Sequence, residues 1–316
     1  MLRRCLGRMV LAVAGASLAY FAATLALDPR ASLEGRSPRP PRAAVSARLA
    51  SLGLDGPPAR RYATWASGVA RGDFGATLDG VPVRGELLRR AGASLRLVAA
   101  GGALGWAGGV LLGAVGACRP RGALDRLITA GALVTMATPA FALAVLLQTA
   151  AQSVNSWTGA PVFAWTGEYT PGAAGPVVDR LRHLLLPATV LALGQAAMCA
   201  RYQRGLLLDA LNSGCVRAAM ARGLRRRTAL RRHALRVTVA PMTTFAAYGF
   251  AALLTGTAVT EKVFAWHGLG EWLIDSIAGD DVNAVAACGC AAAMAIAAVG
   301  LLADLANAAL DPRARP

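Results

Sequence analysis

Six stretches of this chain are long and apolar enough to cross a lipid bilayer, which takes about 20 residues. They run from about Met9 to Leu27, Leu95 to Ala117, Leu127 to Ala151, Leu184 to Ala200, Val239 to Thr260 and Ala284 to Ala309. Nothing else so limits the fold, because a backbone in hydrocarbon must satisfy its own N–H and C=O groups, and a short isolated segment does so only as a helix. The expectation is an all-α, polytopic membrane protein with six transmembrane helices. The chain is 55% hydrophobic with mean hydropathy +0.47, above the usual 45–50% or so of soluble domains. The spans are rich in Ala and Gly, which lets helices approach closely. The fourth is the weakest, since Gln195 interrupts it and Arg201 ends it. Arg3, Arg4 and Arg8 precede the first in the manner of a signal peptide, but the run is long and no clear cleavage site follows, so a retained helix is expected.

Charge in the short connections orients the spans. Residues 200–236 carry ten arginines against Asp209, a net +9, whereas residues 261–283 carry five acids against Lys262, a net −4. Both termini are therefore expected in the cytoplasm. The 28–94 connection would lie outside; its 11 arginines do not prevent export, because connections longer than about 60 residues cross largely regardless of charge. Ser37-Pro38-Arg39-Pro40-Pro41 cannot be regular helix, and residues 62–90, with Tyr62, Trp65, Val69 and Phe74, are expected to be ordered against the outer surface. Trp157, Trp165, Trp272 and Tyr169 near outer span ends suit an interfacial aromatic belt, with docking of a partner as a second role.

Several functions are disfavoured. The net charge of +16 suits a nucleic-acid binder, but the arginines lie between apolar blocks and no base-reading motif accompanies them. The single lysine, Lys262, stands between Glu261 and Val263, so no Gly-Lys-Ser/Thr phosphate loop can exist. Neither HExxH nor GxSxG occurs, and no pair of intramembrane acids suggests an embedded enzyme. Cys5, Cys118, Cys199, Cys215, Cys288 and Cys290 lack CxxC spacing, and His183, His233 and His267 are scattered, so neither a disulfide framework nor a metal site is expected.

The segment from Asn212 to Pro241 is the most informative. Val216, Ala219, Met220, Gly223 and Leu224 recur at i, i+3, i+4, i+7 and i+8, a helical stripe, with Arg217, Ala218 and Arg222 off it. Gly223 suits a helix C-cap, and Arg225, Arg226 and Arg227 complement a negative helix end. A short helix across the cytoplasmic face, able to dock in a partner's groove, stands beside the plainer reading of a basic loop that only fixes topology.

Cys215-Val216-Arg217-Ala218-Ala219-Met220-Ala221-Arg222-Gly223-Leu224, continuing through Arg231-Arg232-His233-Ala234-Leu235-Arg236 to Pro241, resembles the EAA-type coupling segment of ABC importer permeases, in the longer form of the dipeptide, oligopeptide and nickel group. Arg71-Gly72-Asp73-Phe74-Gly75, the stretch from Leu186-Pro187-Ala188 to Arg201-Tyr202, Glu261-Lys262-Val263-Phe264-Ala265-Trp266-His267-Gly268-Leu269-Gly270, and Leu310-Asp311-Pro312-Arg313-Ala314-Arg315 match the same group. The likeness covers essentially the whole chain and is greatest to actinobacterial oligopeptide permease B-type subunits. Gly214 departs from it, standing where the group usually has an acid that would cap the coupling helix or meet a basic residue of the ATPase. A glycine caps more weakly than Asp.

This resemblance implies a type I ABC importer permease fold and a subunit that moves oligopeptides or dipeptides. It would pair with a second, similar permease in a heterodimer, with two ABC ATPases that bind ATP and Mg below and an extracytoplasmic binding protein above. Membrane lipid surrounds it, and no cofactor, metal or nucleic acid is expected in this chain. Residues 1–27 would form the N-terminal span, 28–90 the outer connection, 91–309 a five-helix core with the coupling helix at about 212–224, and 310–316 a cytoplasmic tail. A nickel or heme permease and an uncoupled channel or scaffold are the alternatives. Polar residues within spans are the candidates for the translocation path: Thr135, Thr138, Gln148, Gln195, Tyr248, Thr255 and Thr257, with Thr243, Thr244 and Thr260 behind them. Pro139 should kink the third span and is the candidate hinge, whereas Pro187 and Pro241 are expected near helix starts, where proline fits without penalty.

Overall fold

The computed structural model describes residues 2–173 and 175–310, and every named element is helical. The order is α1 (Leu2–Ala26), α2 (Pro29–Glu34), α3 (Arg42–Ser51), α4 (Pro58–Val69), α5 (Val83–Cys118), α6 (Ala123–Ala137), α7 (Ala140–Thr158), α8 (Pro176–Leu211), α9 (Gly214–Ala221) and α10 (Arg226–Ala229). A π-helical turn (Leu230–Ala234) then runs into α11 (Leu235–Gly256), followed by α12 (Ala258–Val263), α13 (Leu269–Ala278) and α14 (Val282–Leu310). Helices α1, α5, α8, α14 and the π turn with α11 are each long and apolar enough to span a bilayer. Leu6, Met9, Val10, Leu11, Val13, Leu18 and Leu25 of α1 are exposed, an apolar face suited to lipid.

The third expected span is not one kinked helix. It is α6 and α7, bent by 106° at Thr138-Pro139. Both residues are extended, with ψ 123° and 141°, because a residue before proline is driven out of the α region. Helix α6 thus ends at Ala137, and Pro139 stands as the residue before α7. Pro187 and Pro241 also differ from expectation, since both lie inside their helices. Helix α8 begins at Pro176, well before the expected Leu184, and α11 is preceded by the π turn. The fourth span looked weak although it is the most buried of the long helices: Gln195, which interrupts it, is internal, whereas Arg201 is exposed.

The chain divides into two compact units. The first comprises residues 1–95 and 266–298, the second 96–265 and 299–316. Within the first, the connection after α1 folds as α2–α4. Asp28 caps α2 by accepting from the N–H groups of Arg30 and Ala31, each at 3.1 Å. Leu33, Val45, Leu49, Leu54 and Leu78 bury against Ala23 and Val282. Phe74 of the Arg71–Gly75 motif packs with Val83, Leu87, Trp272, Ala284 and Ala287. Asp281 fastens the intervening turn, accepting the N–H of Leu78 at 2.8 Å and of Ala284 at 3.1 Å; burial pushes its carboxyl above the usual range, against those two hydrogen bonds. Asn283 donates to Ala76 O at 2.9 Å. Trp272 is no belt residue. It is 8% exposed, with the Arg90 guanidinium 5.6 Å from its ring centre, and Arg90 also meets Glu271 at 3.2 Å. Trp157 is 90% exposed, as a lipid-interface tryptophan would be.

The second unit is built around α8. From Arg96 onward, α5 carries glycines at 101, 105, 109 and 113, one every four residues, hence along one face. They meet Leu191, Gln195, Cys199 and Gln203 of α8, which share the same spacing. A Cβ at Gly101 would stand 2.7 Å from Leu191 Cβ and one at Gly105 2.7 Å from Gln195 Cβ, while one at Gly109 would overlap Cys199. The ridge of bare backbone lets two membrane helices pack at short range. Leu186 and Val190 of α8 pack with Ala144 and Ala151 of α7 and with Phe264. At the other end of α8, Arg204 Nη2 meets Asp125 Oδ2 at 2.8 Å, and Arg121 N–H reaches the same oxygen at 2.7 Å. This pair, with Asp125 buried and Arg204 partly exposed, ties the α5–α6 connection to α8.

Candidate coupling helix and intramembrane cavity

Helix α9 follows α8 after only Asn212 and Ser213, and its eight residues are held by side chains rather than by length. Val216, which is 0% exposed, and Ala219 are buried. Val216 packs with Leu207, Ala210 and Leu211 of α8, Ala117 of α5, and Leu230 and Ala234 of the π turn, and Met220 lies against the same cluster. The small apolar stripe therefore seats α9 on its own subunit. It does not face a partner's groove, as the sequence pattern suggested. The exposed face is Gly214, Arg217, Ala218, Ala221 and Arg222, with Gly223 beyond it. Physically, a stripe finds the nearest apolar surface, and two linking residues leave the end of α8 as that surface.

The C-terminus closes as expected from Gly223. Its φ is +93°, a conformation that suits glycine. Gly223 N–H donates to Met220 O at 2.9 Å and Leu224 N–H to Ala219 O at 3.3 Å, the paired bonds of a Schellman turn. Arg222, not Gly223, is the C-cap, and Gly223 follows it. At the other end the cap is Ser213, and Gly214 is the first helical residue. An acid at 214 would thus act on the helix dipole and not as a cap. Gly214→Asp is expected to stabilise α9 by roughly 0.5–1 kcal/mol. The check is amide exchange across residues 216–221, which should slow about two- to fivefold.

The seven path candidates separate. Thr135, Thr138 and Thr255 donate to carbonyls of their own helices, at 2.9 Å to Gly131, 2.8 Å to Val134 and 3.0 Å to Ala252. Such back-bonding settles a hydroxyl inside its helix. Thr257 is buried and donates to Glu261 Oε1 at 3.0 Å, where α11 gives way to α12. Gln148 donates to Trp165 O at 3.3 Å and holds the loop after α7. Tyr248 is 61% exposed on α11. Gln195 alone of the seven lines the cavity of about 270 Å³ between α5, α8 and α11, with Ala99, Gly102, Trp106, Phe250 and Leu253. The glycine ridge, the π turn and the Asp125–Arg204 pair escaped sequence reading. The four-residue glycine spacing was a visible signal, but which helix it faced was not. The C-terminal motif beyond Leu310 lies outside the described residues.

Comparison with known proteins agrees with this architecture. The family model described as "Binding-protein-dependent transport system inner membrane component" matches residues 109–316. The chain is 47% identical to the oligopeptide transport system permease protein OppB of Mycobacterium tuberculosis, over 99% of this chain and 98% of that protein. It is 31% identical to the dipeptide transport system permease protein DppB of Escherichia coli, over 84% of each. Among solved structures, an inward-facing form of the MetNI methionine ABC transporter aligns with TM-score 0.57 at 17% identity, over 71% of this chain and 96% of that one. This likeness shows the fold alone. A full-length relative and a family match over the core lead to one conclusion: the chain belongs to the family of binding-protein-dependent transport system inner membrane components.

Proposed function

We propose that this chain is one permease of an ATP-driven peptide importer, paired with a second permease, two ABC ATPases and an extracytoplasmic binding protein. The observation that carries the reading is the seat of α9, whose buried stripe locks it to α8, α5 and the π turn while Arg217 and Arg222 stay exposed. A small rigid helix so attached passes a displacement below directly to membrane-crossing helices. The names of the full-length relatives support peptide as cargo. The net +9 of residues 200–236 against −4 of residues 261–283 supports cytoplasmic termini and, with them, a position of α9 at the inner surface. There, an exposed face with arginines and no acid suits an acidic lip on each ATPase groove. The 106° break at Pro139 would serve as a hinge as the helices rock between inward- and outward-facing states. ATP and Mg would be bound by the partner subunits.

The deciding experiment reconstitutes the chain with its partner permease, ATPases and binding protein in liposomes and follows a radiolabelled tripeptide. Accumulation is expected with ATP and binding protein together, and none with a non-hydrolysable analogue. Uptake of nickel or heme in place of peptide would change the cargo, and ATP-independent conduction by the chain alone would overturn the coupling.

A further inference from the structure

We infer that Arg201 is a carboxylate subsite on the translocation path, taking the C-terminal carboxylate of the passing peptide; this rests on the peptide-import reading. Arg201 directly follows the apolar run of residues 184–200, which is shorter than the roughly 20 residues that a bilayer takes. Side chains on a helix lean toward its N-terminus, so the guanidinium is carried back along α8 beside that run. Its Nη1 lies 3.8 Å from Met136 Sδ, in the last turn of α6, whereas Arg204, one turn further along α8, meets Asp125 in the first turn of α6. Two arginines one turn apart thus reach opposite ends of a helix about 22 Å long. Arg204 is neutralised by Asp125; Arg201 forms no ion pair among the described residues.

A cation at membrane depth faces protein or a water-filled cavity rather than lipid. Helix α8 is the most buried of the long helices, and Met198, Arg201 and Tyr202 are exposed on it, three and four residues apart and hence on one face. Met136 of α6 borders that face on Arg201, and Phe245 of α11 borders it on Tyr202, the two rings stacked with centroids 4.5 Å apart. The open face of α8 is therefore a strip between two other membrane helices, with the charge in it. Long cationic side chains near the end of a span usually turn toward the headgroups; this one turns the opposite way, along α8. Its exposure leaves the guanidinium open to a partner. A planar guanidinium presents paired N–H donors that match a carboxylate. Every unblocked peptide brings one carboxylate at its C-terminus, whatever its side chains, so a single fixed cation serves a carrier of varied peptides.

The test uses the complete transporter in liposomes, with binding protein preloaded with trialanine or trialanine amide, over a single turnover. Preloading removes the binding protein's own preference. The wild type is expected to move trialanine about tenfold faster, the size of one charge-assisted contact for which water competes. Arg201→Gln keeps a polar side chain and removes the charge, so trialanine transport should fall about tenfold and the preference disappear. Arg201→Met, which suits an apolar environment, carries the same expectation if Arg201→Gln does not assemble. Equal transport of both peptides by the wild type, or a preference retained in either variant, overturns the inference. An arginine that meets lipid phosphate or an acid of the second permease would slow both peptides alike when replaced, and that result overturns it too. Failure of the wild type to move any peptide would instead sink the import reading.

Discussion

Gly109→Leu is expected to leave almost no correctly folded protein, while Gly108→Ala, one residue away, is tolerated. Gly109 faces α8, where an added Cβ would overlap Cys199 Cβ, stand 2.8 Å from its Sγ and approach Ala196 O at 2.9 Å. At Gly108 the nearest atom to an added Cβ is 4.0 Å away, ordinary contact distance. Overpacking a well-filled interface costs about 1–3 kcal/mol for small additions, and here backbone atoms of α8 would have to retreat for the first methyl group. Leucine adds three more carbons along the same direction. In lipid no hydrophobic drive presses the helices together, so close packing is the main attraction that a bulky residue destroys. Yield of monodisperse protein in detergent and resistance to trypsin should both collapse for Gly109→Leu. Normal yield would mean that α5 and α8 are not joined by this ridge.

The glycine ridge also shows where sequence reading reaches its limit. Membrane class, helix content and the apolar stretches of five long helices follow from apolar length alone, because lipid leaves the backbone one local solution. The third span was harder: the effect of Thr138-Pro139 on a helix depends on whether the two extended residues are continued by neighbours, and a 106° break and a mild kink share the same local sequence. The proline positions were misjudged for a related reason. Apolar scoring started the fourth span at Leu184, yet helix geometry continues outward to Pro176 through Asp179, Arg180, Arg182 and His183, which hydropathy counts as loop. Helix α9 was legible in its extent and in its glycine terminus, because both are local. The direction of its stripe was not local. It required knowing that Leu207, Ala210 and Leu211 leave an apolar surface two residues upstream. Polarity likewise selected seven path residues, although three of their hydroxyls are satisfied inside their own helices.

On the proposed coupling role, Val216→Asp should abolish transport, whereas Arg222→Glu should weaken partner binding and leave the fold of this chain intact. Val216 is fully buried among the ends of α8 and α5 and the π turn. Aspartate is close to valine in size but brings a carboxylate into an apolar cluster, at a penalty of several kcal/mol unless it protonates or escapes. Escape means detaching α9 from α8, since an eight-residue helix does not hold itself in water. ATPases that grip a detached helix move it without moving the membrane spans. ATP hydrolysis should therefore persist, lose its response to loaded binding protein, and drive peptide uptake at least about a hundredfold more slowly, the factor that about 2.7 kcal/mol of lost coupling corresponds to. Arg222 lies on the exposed side of the helix end. Reversing its charge should lower ATPase co-purification in a salt-dependent manner, as expected for a screened surface contact, with uptake recovering at saturating ATPase. The two variants thus separate the face that holds α9 to its own helices from the face offered to the motor. If Val216→Asp transports at the normal rate, force does not travel through this seat.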